Sequence, residues 1–213
     1  MPFSIFKIYK GQIKIELEMI GTFIESTYIQ NERTLEEIDK GFNLYYDTIE
    51  KDDLLLSYLE DKSFIHNQLF NKHLFNSYFS ILTAFFERSI TQIFSLYDEL
   101  KTLDKVSIIK GKFRMEEAEK TITETLKINL ADLKQDKTKI LYYRELRHLL
   151  VHCDSNIKYA NKKSNNLISK IRKDKSIQID EQTSEIRFPD LSSVTEYKTS
   201  IERFLNSILD NIS

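Results

Sequence analysis

The chain has 213 residues with 31 basic and 33 acidic side chains, and its formal charge of −2 excludes a polycation that would bind nucleic acid through net charge alone. Four glycines and two prolines are too few for the many turns of a sandwich or barrel, and one cysteine excludes an intrachain disulfide. No stretch approaches the roughly 20 apolar residues that span a bilayer, so the expectation is a helical, soluble, cytoplasmic protein with no membrane contact.

Residues 1–11 read either as a short strand at Ser4–Tyr9 or as the entry to a helix. From Gln12 to Gln30, Ile13, Leu17, Ile20, Phe23, Ile24 and Tyr28 recur at three and four, which predicts an amphipathic helix weakened only by Gly21. Asn31 to Arg33 break that pattern. Thr34 with Glu37 resembles a capping box opening a second helix with Leu35, Ile38, Phe42, Tyr45 and Ile49. Lys51-Asp52-Asp53 marks a boundary, and a short helix near Leu54–Leu59 follows.

The most apolar segment runs from Phe64 to Leu100 and is apolar around most of the helical wheel, the mark of a central helix. Its one polar stripe is His73, Asn76, Ser80, Thr83, Glu87 and Thr91, again spaced by three and four. After a connection at Lys101–Phe113, a helix is predicted from Met115 to Ile128 or Leu130, then a polar loop over Asp132–Lys137. A helix over Thr138–Cys153 follows. The next segment is basic: Lys158, Lys162, Lys163, Lys170, Arg172, Lys173 and Lys175 meet a single acid, Asp174, and a short helix is expected at Asn165–Ile171. Ile177–Asp180 and Glu185–Phe188 read as two short strands. A last helix, capped by Asp190, Ser192 or Ser193, runs to Ile212 with Val194, Tyr197, Ile201, Phe204, Leu205, Ile208 and Leu209 inward.

The stretch Leu141–Asp154, LYYRELRHLLVHCD, concentrates the chemistry. On a wheel, Tyr142, Leu146, Leu149, Leu150 and Cys153 form an apolar face. Arg144, Arg147, His148 and His152 lie opposite, around Val151. An apolar residue in that basic face predicts a cleft or a subunit contact. His148 and His152 also have metal-ligand spacing, but Cys153 points to the core face and two ligands do not make a site, so no metal and no cofactor is expected. His66 and His73 are expected to be structural or surface residues. There is no Gly-rich phosphate loop, no G-x-S-x-G and no Cys/His nucleophile pair.

Arg147-His148-Leu149-Leu150-Val151-His152 resembles the R-x4-H motif of the HEPN superfamily, and Ala84-Phe85-Phe86-Glu87-Arg88 resembles its aromatic-Glu helix. The resemblance implies an all-α, antiparallel helical bundle of HEPN type with a short β-hairpin before the last helix. It places the HEPN-like domain at 61–213 and an N-terminal helical segment packing on the bundle at 1–60, which could cap it, extend a dimer interface or bind a partner. It further implies a homodimeric, metal-independent endoribonuclease, a toxin or anti-phage effector, with RNA as substrate and an antitoxin or other protein as partner. The implied catalytic residues are Arg147, His152, His148 and Glu87. Arg144, Lys158, Lys162 and Lys163 stand as RNA-binding candidates. The competing reading is a non-catalytic helical module that binds nucleotide, RNA or a partner protein.

Overall fold

The computed structural model describes residues 3–48, 52–101, 113–131 and 133–212. Its elements in chain order are α1 (Phe3–Asp47), α2 (Asp53–Phe64), a π turn (Ile65–Phe70), α3 (Asn71–Lys101), α4 (Met115–Lys120), a second π turn (Thr121–Thr125), α5 (Lys134–His152), α6 (Asn165–Ile171), the strands β1 (Gln178–Ile179) and β2 (Ile186–Arg187), and α7 (Ser192–Ile212). The chain is thus an all-α bundle with one short hairpin before the last helix. No helix among the described residues is long and apolar enough to cross a membrane.

α1 is one helix of 45 residues, with neither a strand at its start nor the break expected at Asn31–Arg33. Asn31 at the expected break and Thr34 at the expected cap find partners without leaving the helix. Asn31 is buried and hydrogen-bonds His66 Nδ1 through Oδ1 at 3.2 Å. The Thr34 hydroxyl donates to the Gln30 carbonyl at 3.0 Å instead of capping a new helix. Ile49 and Lys51 lie outside the described residues. Asp52 does start α2, accepting from the amides of Leu54 at 3.0 Å and Leu55 at 3.3 Å. The backbone then stays helical through the π turn into α3.

α4 and its π turn end sooner than expected, because Lys127 adopts φ 60° and turns the chain out of the helix. α5 starts at Lys134, not Thr138. Its polar first turn is helical because a solvated turn needs no apolar side chain. Asp136 suits the positive N-terminal end, and Lys137 pairs with Glu119 at 3.0 Å. Asp132 and most of the 101–113 connection lie outside the described residues.

The chain divides into two compact units. The first comprises residues 1–21, 79–148 and 192–213. Phe79, Tyr143 and Tyr197 stack at its centre with ring centroids 5.1–6.1 Å apart, and Phe86 meets Phe204 edge-on at 5.9 Å. The amphipathic α7 buries Val194, Tyr197, Ile201, Phe204, Leu205, Ile208 and Leu209, the inward set read from its periodicity. Gly21 leaves room for the Lys198 side chain, whose Nζ would lie 2.5 Å from an added Cβ.

The second unit comprises residues 22–78 and 149–191. Phe75 stacks on Phe188 at 4.5 Å and meets Tyr28 edge-on at 6.3 Å. The Tyr78 hydroxyl donates to the Ile24 carbonyl at 3.1 Å. β1 and β2 pair antiparallel, Gln178 with Arg187 and Ile179 with Ile186. The turn between them is built on Asp180, whose carboxylate accepts from the amides of Gln182 (2.9 Å) and Thr183 (3.0 Å) and pairs with Arg187 at 2.8 Å. The Thr183 amide, first among these, holds the Asp180 carboxyl below the usual carboxylate range.

Candidate functional site

α5 carries the candidate residues, and its packing differs from the simple wheel. Ile140, Tyr143, Leu146 and Leu150 are fully buried, whereas Tyr142 and Cys153 are only partly buried. The core face is therefore rotated toward Tyr143 and Ile140, and Arg147 sits at its edge. His148, Val151 and His152 are exposed, Val151 at 41%.

In the first unit, the polar stripe of α3 meets that edge of α5. The Arg147 Nε donates to Ser80 Oγ at 3.3 Å. Among the described residues, the two terminal amino groups of Arg147 have no hydrogen-bond partner. Arg144 is engaged differently. Its NH2 group pairs with Glu87 Oε1 at 2.7 Å, its guanidinium lies over the Phe113 ring at 5.0 Å, and its side chain is 19% exposed. Its buried Nε has no partner among the described residues. Glu87, which the resemblance implies as a catalytic residue, thus holds Arg144.

One turn from Ser80, Thr83 donates to the Phe79 carbonyl at 2.7 Å, which uses its only proton. The Thr83–Tyr197 contact of 3.0 Å is therefore a bond donated by the Tyr197 hydroxyl. Burial raises the Tyr197 pKa well above that of a free phenol, and the hydrogen bond with Thr83 and the nearby Arg144 and Arg147 only partly oppose this. Tyr197 stays neutral and props α7 against the stripe. On the α7 side of α5, Glu196 accepts from Lys139 at 2.6 Å and from Tyr143 at 2.5 Å. This pair borders a cavity of about 400 Å³ that Ser200 and Arg203 also line and that none of the sequence-predicted residues reaches.

In the second unit, the same α3 stripe secures the end of α5. Asn76 Nδ2 donates to the Leu150 carbonyl at 3.4 Å, and Asn76 Oδ1 accepts from Ser155 Oγ at 3.2 Å. Asp154 and Ser155 both have positive φ, 51° and 59°, which turns the chain away just after His152. The Ser155 amide reaches back to the Leu150 carbonyl at 3.0 Å, and Asp154 pairs with Lys72 at 2.8 Å. Lys158, Lys162, Lys170, Arg172, Lys173 and Lys175 are all exposed, and among the described residues none forms an ion pair. The Lys163 side chain lies outside the described residues. No three His, Cys, Asp or Glu side chains among those described lie close enough to hold a metal ion.

Sequence reasoning missed Ser80, Thr83, Tyr143 and Tyr197 as parts of the site. Their signal was present in the stripe His73–Thr91, a line of polar residues on an otherwise apolar helix that needs partners once buried. No protein-family model, no curated protein and no solved structure matches the chain.

Proposed function

We propose that this chain is a metal-independent endoribonuclease of HEPN type, a homodimeric toxin or anti-phage effector. The observation that carries this reading is Arg147. Ser80 fixes its Nε, and its terminal amino groups are left unengaged among the described residues, as a phosphate clamp requires. Arg144, neutralised by Glu87, leaves Arg147 as the cation for the reacting group. His152 follows on the last turn of the same helix. Its imidazole can accept a proton at one ring nitrogen and donate at the other, which suits proton transfer at the ribose 2′-OH. In the reaction, the base removes the 2′-OH proton and O2′ attacks phosphorus. The P–O5′ bond breaks and the departing oxygen takes up a proton, giving a 2′,3′-cyclic phosphate and a 5′-OH end. Arg147 stabilises the charge that builds on the non-bridging oxygens. The exposed lysines from Lys158 onward supply strand contacts.

The experiment is RNA incubation in EDTA with wild type, Arg147→Ala and His152→Ala. Cleavage to cyclic-phosphate ends by the wild type alone supports the proposal. RNA left intact by all three overturns it. The competing module reading is favoured by the Arg144–Glu87 pair, which leaves the acidic residue holding structure. That reading predicts RNA or partner binding that persists in His152→Ala, with no cleavage.

A further inference from the structure

We infer that Tyr159 is a base-stacking platform, so that the ligand of the basic segment is an unpaired strand of RNA with one base laid beside the end of α5. This names the substrate class of the proposed site and rests on the strand-binding part of that proposal, not on the cleavage step. Tyr159 is 72% exposed, the most open aromatic ring among the described residues. Neither its ring nor its hydroxyl has a partner among those residues. An exposed ring on its own is ordinary surface. This one differs in how it is mounted. It ends a 3-10 turn, Ile157–Tyr159, that the hairpin holds in place. Asn156 Oδ1 accepts from the Lys158 amide at 2.9 Å, and Asn156 Nδ2 donates to the Thr183 carbonyl at 3.0 Å. The Ile157 amide donates to the Ser184 carbonyl at 3.0 Å, and the Tyr159 amide closes on the Asn156 carbonyl at 3.2 Å. A base that stacks on the ring therefore meets a backbone already ordered.

Two further contacts place the ring where a strand would run. The Tyr159 carbonyl accepts from Cys153 Sγ at 3.5 Å, which sets the turn against the residue that follows His152. Lys158 and Lys162 stand on either side of Tyr159 in the chain, both exposed and without ion pairs among the described residues. The acids of the adjoining segments do not cancel them, because Lys72 holds both Asp154 (2.8 Å) and Glu185 (3.7 Å). All of these residues belong to the second unit. Lysines alone grip phosphates and do not distinguish an unpaired strand from a duplex. A free aromatic face does. In a duplex the bases are stacked on one another, whereas an unpaired base can turn out onto a ring. Cations that follow the phosphates, with an aromatic ring between them, are the combination that single-strand binding uses. Every base has a flat face, so the contact selects unpaired RNA with little regard to sequence.

The test uses the full chain and a single-stranded 2′-O-methyl RNA of about 12 nucleotides, with 2-aminopurine placed in turn along it. Without a free 2′-OH this strand cannot be cut by the proposed reaction, so binding is read alone. Tyr159→Ala is expected to weaken binding about 5- to 100-fold and to abolish the quenching of 2-aminopurine fluorescence that stacking causes. The salt dependence of binding should not change, because no charge is removed. Tyr159→Phe keeps the flat face and should bind within about three-fold of the wild type. Tyr159→Leu keeps bulk without the face and should bind like Tyr159→Ala. The same strand annealed to its complement should bind all four proteins alike, and circular dichroism should show equal helicity. Tyr159→Ala or Tyr159→Leu binding as tightly as the wild type overturns the inference. An equal loss on the duplex, or a wild type that binds no single strand, overturns it too. Cleavage of unmodified RNA in EDTA is measured in parallel. A wild type that binds and quenches but does not cut refutes the ribonuclease reading and supports the stacking. One that cuts while Tyr159→Ala binds unchanged does the reverse.

Discussion

At the scale of single residues, the site separates two arginines that the sequence presents alike. Arg144 is a structural cation, fixed by Glu87 and capped by the Phe113 ring. Arg147 is a held but unsaturated one. Their substitutions should therefore part company. Arg147→Ala is expected to lower RNA cleavage by about 100-fold or more with the unfolding midpoint nearly unchanged. Arg144→Ala leaves Glu87 partly buried without its partner and is expected to lower stability by about 1–3 kcal/mol, read from urea melts. Tyr197 gives a pH-dependent counterpart. Its folded-state pKa lies above 10.0, whereas the unfolded phenol releases its proton near that value. Below pH 10 both states hold the proton and stability is intact. As the pH rises above 10, the unfolded state is increasingly favoured. Urea melts at pH 9, 10 and 11 should show that decline, and Tyr197→Phe should make it shallower, the rest coming from groups such as Tyr9 and Tyr78, whose pKa values burial also raises. The same variant is expected to cost about 1 kcal/mol at pH 7 through the lost bond to Thr83.

At the scale of elements, the polar stripe of α3 works as a set of docking points. Asn76 closes the end of α5 by bonding both the Leu150 carbonyl and the Ser155 hydroxyl. Asn76→Ala is expected to cost about 1–3 kcal/mol in urea unfolding, because the buried Ser155 hydroxyl loses its acceptor. Gly41 marks a close approach of another kind: an added Cβ would lie 2.7 Å from Leu59 Cδ2, and Leu59 is buried. Gly41→Ala should therefore destabilise by about 1–3 kcal/mol, with Leu59→Ala in the same chain recovering part of the loss. The elements best read from sequence were those whose period and punctuation agreed. α6 matches its expected span, α7 its inward face, and the hairpin forms where the turn residues fall. Three misreadings share one cause, that polar residues were taken as boundaries. Asn31, Thr34 and the first turn of α5 are polar yet helical because each finds a helical or tertiary partner. The wheel of α5 put Tyr142 on the core face in place of the buried Tyr143, and Arg147 opposite the core instead of at its edge. Period alone cannot tell that Ser80 and Glu87 wait on the neighbouring helix to receive two arginine heads.

At the scale of the whole chain, a net charge of −2 conceals a local excess of positive charge. From Lys158 to Lys175 the described cations are exposed and carry no ion pair among the described residues, so this segment presents its charge to whatever binds. If RNA is the ligand, these lysines act on affinity through counterion release and leave bond cleavage untouched. For a single strand, log K falls with log[salt] with a slope of about 0.7 per phosphate contact. Lys158→Ala/Lys162→Ala should therefore reduce the magnitude of that slope by about 1.4 and weaken binding across RNA sequences alike. At saturating RNA the cleavage rate should equal that of the wild type. Arg147→Ala should do the reverse, with a slope changed by no more than one contact and a saturated rate that collapses. The measurement is RNA affinity by fluorescence anisotropy between 50 and 200 mM salt, paired with single-turnover cleavage. An unchanged slope in the lysine double variant would place the strand on another face of the protein. A fall in saturated rate equal to that of Arg147→Ala would make these lysines part of the reacting centre.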